Sequence, residues 1–361
     1  MRHRFHALCP YFAMFPETFV RKNLIWSKAG DIVFDPFSGR GTTVFESLLN
    51  NRVGFGCDVN SVAVCISNAK ADPPSYNEVC ARLDTLAASK PSNDSSLAKD
   101  AFFSACFHPK TLQQLLYLRR SLKWKNNRSD RFIAALVLGS LHGESHRSER
   151  YFSNRMPRTI STKPNYSVNW WKKNKFFAPK RDVYKILREM IDFRFASDLP
   201  PSRGQIKQVD ARNAINAFPS LEKRVPLIIT SPPYLDTTNF EEDQWLRLWF
   251  LGGPAHPLIR PNGDDRHSAT DRYWDFLTEA WAGVAPLLKR EAHIIIRIGG
   301  KRLSKQDLEE GLTDSLEDGL EKKLYLLQSK TSEITSGQIR TFQPSAPSNS
   351  TEHDFHFVVG S

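Results

Sequence analysis

The sequence predicts an α/β protein: a doubly wound, mostly parallel sheet interrupted by an inserted, mainly helical module. Three observations carry that expectation. Residues 31–36 form a short apolar run that leads into Gly39-Arg40-Gly41-Thr42-Thr43, and a second run, 53–58, follows the helical stretch after it. Strand, Gly-rich turn, helix, strand is the opening of a doubly wound sheet. Far along the chain, residues 226–230 and 293–298 are continuous apolar runs of the length and β-branched content of fully buried strands. Between these two halves the periodicity changes to that of helices, as in Leu112-Leu115-Leu116-Leu118-Leu122 and residues 132–141.

The elements follow from local signals. Pro16, Glu17 in a first turn and apolar Phe19, Val20 and Leu24 predict a helix that Gly30 ends. Helices are expected from 42 to about 50 and from 61 to 70, the latter stopped by Asp72-Pro73-Pro74-Ser75. Residues 143–181 read as irregular, basic and aromatic, and a helix over 182–193 precedes the loop 200–204. Strands are then expected at 206–210 and 226–230, helices at 241–250 and 271–289, and a strand at 293–298. A helix at 304–319, a strand at 322–328, a Ser/Thr/Pro-rich loop over 331–352 and a strand at 354–359 complete the chain. The expected division is a catalytic domain of residues 1–72 and 206–361 around an inserted helical, basic domain of 73–205.

Composition narrows the class. Hydrophobic residues at 40% and charged residues at 25% are ordinary for a globular protein. No apolar run reaches the roughly 18 residues that span a bilayer, and no signal-peptide core follows the N-terminus. A cytoplasmic location without membrane contact is therefore expected. The first motif begins about ten residues into the chain, which leaves room for an upstream segment. Cys9, Cys57, Cys65, Cys80 and Cys106 are odd in number and form no CxxC pair, so reduced thiols are expected, with neither disulfides nor a metal site. The net charge is +11, but residues 119–188 hold 18 Lys/Arg against four acids, a net of +14 that leaves −3 on the rest. One basic module on a near-neutral body suits a polyanion, although a merely solvated lysine-rich face has the same composition.

Two stretches carry the chemistry. Gly39 and Gly41 after a strand let backbone approach a ligand at a helix N-terminus. A dinucleotide turn would carry a third glycine where Val44 stands, and Asp35 would repel a pyrophosphate. The carboxylate suits a cationic ligand instead. Asp58, at the tip of the second strand, is placed to accept ribose hydroxyls, and Asp210, at the end of the third, to accept from an adenine amine. The plainer alternative is that such aspartates cap the following helices. In Ser231-Pro232-Pro233-Tyr234 two prolines fix φ and remove two N–H donors, leaving acceptors to hold an exocyclic amine, while Tyr234 offers a stacking face. A proline-stiffened loop with a packed tyrosine is the alternative there. No Pro-Cys pair occurs, which counts against C5-cytosine chemistry through a cysteine nucleophile.

Together, residues 35–43 and 230–234 resemble the DNA amino-methyltransferases, the N4-cytosine/N6-adenine class. Tyr11-Phe12-Ala13-Met14-Phe15-Pro16 is similar to their N-terminal cofactor motif, with Met14 where a lysine is expected, and residues 209–212 resemble their adenine-contacting strand. The resemblance covers about 1–72 and 206–300, and more loosely the insert and Glu352-His353-Asp354. It implies a seven-stranded Rossmann-like methyltransferase sheet and S-adenosylmethionine held by Phe15, Pro16, Asp35, Pro36, Phe37, Gly39, Gly41, Thr42, Thr43, Asp58 and Asp210. It implies catalysis by Ser231, Pro232, Pro233 and Tyr234, with cytosine N4 favoured over adenine N6 because the tetrapeptide opens with Ser. The insert would be the DNA reader: Arg147, Arg150, Arg155, Arg158, Lys172 and Lys173 toward phosphates, and Asn165, Tyr166 and Trp170 toward bases. A cognate restriction endonuclease is the further partner such a system implies. An RNA base methyltransferase and a non-catalytic DNA-binding protein of the same fold are the rival readings.

Overall fold

A computed structural model describes residues 2–11, 15–89, 97–156, 163–235, 240–257, 270–299, 302–333 and 351–360. The chain forms two units, one of residues 1–10, 73–199 and 239–260 and one of 11–72, 200–238 and 261–361.

The second unit is built on a seven-stranded sheet. Its strands are β1 (Ile32–Asp35), β2 (Val53–Asp58), β3 (Gln205–Gln208), β4 (Val225–Thr230), β5 (Leu288–Gly299), β6 (Leu324–Glu333) and β7 (Thr351–Val359), in the order β3-β2-β1-β4-β5-β7-β6. β1 to β5 run parallel, with Phe34 opposite Phe55 on one side and Ile228 on the other. β7 enters antiparallel between β5 and β6. The apolar runs face both ways, as a sheet covered on both sides requires. Phe34, Ile228, Ile294 and Ile296 pack with Trp281, Leu312 and Leu316 on one face. Val33, Leu227, Ile229 and Ile295 pack with Phe15, Phe19, Val20 and Leu24 on the other.

Several bounds differ from expectation, each for a physical reason. The helix predicted over 271–289 is Thr270–Val284, because Pro286 follows and Leu288 already pairs with Val225 in the sheet. β6 and β7 run longer than predicted because their ladder extends through Glu333 opposite Thr351. β3 stops at Gln208, so Asp210 lies beyond the strand rather than ending it. The N-terminal helix shortens to Glu17–Asn23, started by Pro16 as predicted.

The third glycine missing after Gly41 has a substitute on the neighbouring strand. A Cβ on Gly54 of β2 would fall 2.5 Å from the Val44 carbonyl oxygen, so the helix Thr42–Leu49 rests directly on β2 backbone. Gly54→Ala is expected to cost about 1–3 kcal/mol through overpacking. A thermal melt unchanged from wild type would contradict this contact.

The first unit is helical: Tyr76–Ala88, Ala101–Cys106, Pro109–Ser121, Arg128–Ser140, Pro164–Lys173, Val183–Phe195 and Phe240–Phe250. Four of these helices start on the side-chain caps of Ser75, with Glu78 in a capping box, and of Asp100, Asn127 and Asp182, which accept from first-turn N–H groups. Phe5, Phe132 and Phe195 pack ring against ring, and Arg82 Nε meets Asp130 Oδ1 at 2.6 Å. The stretch read as irregular contains the helix Pro164–Lys173, which Pro164 starts and which buries only Ser167, Val168 and Trp171. So narrow an apolar stripe among polar residues explains why periodicity did not reveal it. Among the described residues no helix is long and apolar enough to cross a membrane.

Candidate active site

The C-terminal ends of β1, β2 and β4 bring the two chemical stretches together. Thr230, the last residue of β4, donates its hydroxyl to Asp35 Oδ1 at 2.6 Å across 195 residues of chain. Thr43 donates to the Ile229 carbonyl at 2.9 Å, so the helix after the Gly-rich turn is also tied to β4. Adjacency of β1 and β4 places both contacts at one end of the sheet. That is where open α/β sheets bind ligands.

The turn itself is shaped by its neighbours. Gly39 and Gly41 adopt positive φ, +48° and +71°, and a Cβ on Gly41 would fall 2.8 Å from the Ser67 Cβ. Ser67 Oγ donates to the Gly39 carbonyl at 2.7 Å, and the Gly39 N–H donates to Asp58 Oδ2 at 2.8 Å. Asp58 Oδ1 accepts the Asn60 N–H at 2.8 Å. The carboxylate keeps lone pairs beyond these two bonds, and burial raises its pKa to about 6 although part of the side chain reaches solvent. Tyr11, outside the predicted residue set, lies over the turn, its ring 3.7 Å from where a Gly39 Cβ would sit.

Asp35 is the most constrained group. It is fully buried, Oδ1 accepts from Thr230 and from the Phe37 N–H at 3.1 Å, and Oδ2 has no hydrogen-bond partner among the described residues. Burial pushes its carboxyl up to about 7, against the opposing effect of the Thr230 and Phe37 bonds and of the nearby Thr43 hydroxyl. A buried anion with an open lone pair is a place for a cation to bind. Burial, and the negative charges of Asp58, Asp35 and Asp210, drive the Cys57 thiol up.

Asp210 has a local partner. Its carboxylate accepts the Arg212 backbone N–H and both arms of the Arg212 guanidinium at 2.8–3.0 Å, and Arg212 also reaches Glu279. It thus caps the turn Ala211–Asn213, as the plainer alternative anticipates. Phe15 sits in the core cluster against Phe19, and Pro16 is the N-cap of Glu17–Asn23. Pro36 offers its carbonyl to Cys57, Phe37 packs toward Trp281, and Thr42 opens its helix beside Arg40.

At the proline corner, the Pro233 carbonyl accepts from Tyr273 Oη at 2.9 Å. Pro232 is buried, and the Ser231 hydroxyl bears on the Tyr234 phenol. Tyr234 Oη donates to Glu352 Oε1 at 3.0 Å, and Glu352 in turn faces Arg297 at 3.4 Å. Neither Glu352 nor Arg297 stood among the predicted site residues. The only sequence sign was the loose resemblance around Glu352-His353-Asp354.

The predicted DNA contacts fall in the helical unit. On Pro164–Lys173, Asn165, Tyr166, Lys172 and Lys173 are exposed, opposite the buried Val168 and Trp171. Phe177, shortly after this helix, is 88% exposed and adds a second surface aromatic. Trp170 is half-buried on Phe176, and Arg155 stacks on the same ring, its guanidinium carbon 4.9 Å from the centroid. Arg150 stacks on Phe193, Arg147 pairs with Glu144, and Arg158 lies outside the described residues.

A seven-stranded α/β sheet with β7 antiparallel, and acids clustered at its ligand-binding end, defines a methyltransferase-type domain. Residues 4–69 match the family model described as DNA methylase. The orphan methyltransferase M.BamHII of Bacillus amyloliquefaciens is 42% identical over 59 residues, which cover 16% of this chain and 22% of that protein. The chain thus matches about a fifth of the length of this relative, and the Ser231–Tyr234 corner lies outside the DNA methylase match. Among solved structures, TrmN from Thermus thermophilus aligns with 9% identity over 98% of this chain and 52% of that one, at a TM-score of 0.37. The rRNA methyltransferase aviRa from Streptomyces viridochromogenes aligns with 10% identity over 99% and 93%, at 0.34. The fold assignment rests on strand order and register, independent of these two.

The residues present fit S-adenosylmethionine. The unpartnered Asp35 Oδ2 suits its positive charge, and the spare lone pairs of Asp58 suit ribose hydroxyls.

Proposed function

We propose that the chain is an S-adenosylmethionine-dependent DNA methyltransferase acting on an exocyclic amine, with cytosine N4 the preferred atom. The observation that supports this most is the 2.6 Å bond from Thr230 to Asp35. It joins the residue before the proline corner to the acid of the Gly-rich turn, so a methyl donor on one and an amine on the other are neighbours.

When bound, S-adenosylmethionine supplies an electrophilic methyl on a sulfonium. Asp35 and Asp58 hold the donor, and the Gly39–Gly41 turn lets backbone approach it. Ser231 Oγ and the Pro232 carbonyl would accept the two amine hydrogens, which would aim the nitrogen lone pair at the methyl that the bound sulfonium would supply, the sulfur keeping the C–S pair. The extra proton then leaves the amine to solvent. The double proline keeps these acceptors rigid, so the gain comes from alignment. Tyr234 gives a base drawn out of the duplex a surface to stack on. Opening with Ser231 favours cytosine over adenine by resemblance, while the geometry of a planar amine serves both.

The helical unit is proposed as the DNA reader. Lys172 and Lys173 on an exposed face beside Tyr166 combine phosphate and stacking chemistry. Lys172→Ala with Lys173→Ala is expected to lower the slope of log affinity against log salt by about 2, measured by titration on duplex DNA; an unchanged slope removes this face from the interface. A cognate endonuclease is expected only from the sequence resemblance. The matched relative is itself described as an orphan methyltransferase, which favours action without one. A cytoplasmic location on DNA follows from that substrate.

Tritium transfer from methyl-labelled S-adenosylmethionine to duplex DNA and, separately, to tRNA tests the substrate class. Label in DNA and none in tRNA is the expected result; the reverse establishes the RNA reading.

A further inference from the structure

We propose that Glu352 is a positioning residue for the proline corner: it fixes the Tyr234 ring on which the base is to stack. This rests on the function proposed above. Tyr234 Oη donates to Glu352 Oε1 at 3.0 Å, and the two residues are 118 apart in sequence. Next to the phenol carbon, Tyr234 Cε2 is 3.4 Å from where a Cβ on Gly299 would stand, so any side chain at that end of β5 would touch the ring. The phenol oxygen is held, and rotation about the first side-chain torsion breaks its bond.

Glu352 is itself anchored. Arg297 Nη1 faces Glu352 Oε2 at 3.4 Å while its Nε and Nη2 grip Asp354 at 2.6 and 2.8 Å. The register explains the arrangement: Arg297 stands opposite Asp354 and Gly299 opposite Glu352 where β7 enters antiparallel. The guanidinium also lies over the Phe19 ring, 4.1 Å from its centroid. Side-chain exposures of 9% for Arg297 and 15% for Glu352 make this an inner network rather than a solvated ion pair. Burial raises the Glu352 carboxyl, with Arg297 opposing, and burial drives the Tyr234 phenol far up, so the phenol stays the donor. Presetting a flat surface before a base arrives lowers the cost of ordering it on binding.

The test is a double-mutant cycle on methyl transfer to DNA, with S-adenosylmethionine affinity measured alongside. Glu352→Ala should lower kcat/KM for DNA about tenfold, the worth of one hydrogen bond of this kind, and Tyr234→Phe at least as much, because it also ends the Ser231 contact. The double variant should fall no further than Tyr234→Phe alone, because the Glu352 tether is already gone there. Glu352→Gln, which keeps an acceptor, should retain activity within about threefold. S-adenosylmethionine affinity should not move. Multiplicative losses, or a Tyr234→Phe enzyme as active as wild type, overturn the inference. If Glu352→Ala does not fold, Tyr234→Phe and Glu352→Gln decide alone by the same criteria. A wild-type protein that methylates no DNA refutes the proposed function instead, so the two failures are distinguishable.

Discussion

Asp35→Asn is expected to abolish S-adenosylmethionine binding, a loss of 100-fold or more in affinity on the order set by removing one partner of a buried charge pair. The buried carboxylate has one oxygen held by Thr230 and Phe37 and the other open, so neutralising it takes away the charge a cationic ligand answers. The pH dependence gives a second signature. With the carboxyl pushed up to about 7 by burial, the wild-type protein should bind more tightly as pH rises from about 5.5 to 7 and level off above. The variant should show no such rise. Stability of the free protein runs the other way. A carboxyl that holds its proton more firmly when folded stabilises the fold below its ordinary pKa of 3.8, and that contribution is lost as pH climbs through about 7. The rise corresponds to roughly 4 kcal/mol at most. Asp35→Asn should therefore flatten the decline of thermal stability between pH 4 and 7 while destroying cofactor binding. A variant that still binds cofactor calorimetrically contradicts the assignment.

Ser231→Ala is expected to lower methyl transfer by about 10²–10³-fold while leaving cofactor affinity unchanged. In the proposed site Ser231 would supply one of the two acceptors for the amine hydrogens, and Pro232, buried and without an N–H, the other through its carbonyl. Loss of Ser231 leaves the amine free to rotate its lone pair away from the methyl. Because Ser231 also bears on Tyr234, a parallel loss of DNA affinity is expected to be small beside the loss of kcat. Single-turnover kinetics at saturating DNA separates the two effects. Turnover equal to wild type rules Ser231 out.

What could be read in the sequence was whatever short-range pattern specifies. Asp35 at a strand end, Gly39 and Gly41 at a turn and the double proline after an apolar run each announce themselves within ten residues, and the structure puts them at one end of one sheet. Asp210 shows the limit of that approach. From position alone it is a third ligand acid, and position does not reveal that Arg212 two residues on donates to it through its backbone N–H, Nε and Nη2. The role expected of a third glycine passed to Gly54, because close approach is a property of the two surfaces that meet, and the partner strand can supply it. The network of Arg297, Glu352 and Asp354 was out of reach for another reason. It exists only because the last strand inserts antiparallel between β5 and β6, a pairing across more than fifty residues that no local signal encodes. In the helical unit, Arg155 and Trp170 both pack on Phe176, a neighbour that composition does not name, and Phe177 beside it is exposed.

Nucleoside analysis by mass spectrometry of DNA incubated with the protein and methyl-labelled S-adenosylmethionine tests the central claim most directly. Labelled N4-methylcytosine with wild type, and about 10²–10³-fold less with Ser231→Ala, is the result predicted from a target amine and a sulfonium sharing the end of β1 and β4. Label on a ring carbon, or DNA that stays unlabelled while the protein binds both cofactor and duplex, would contradict it.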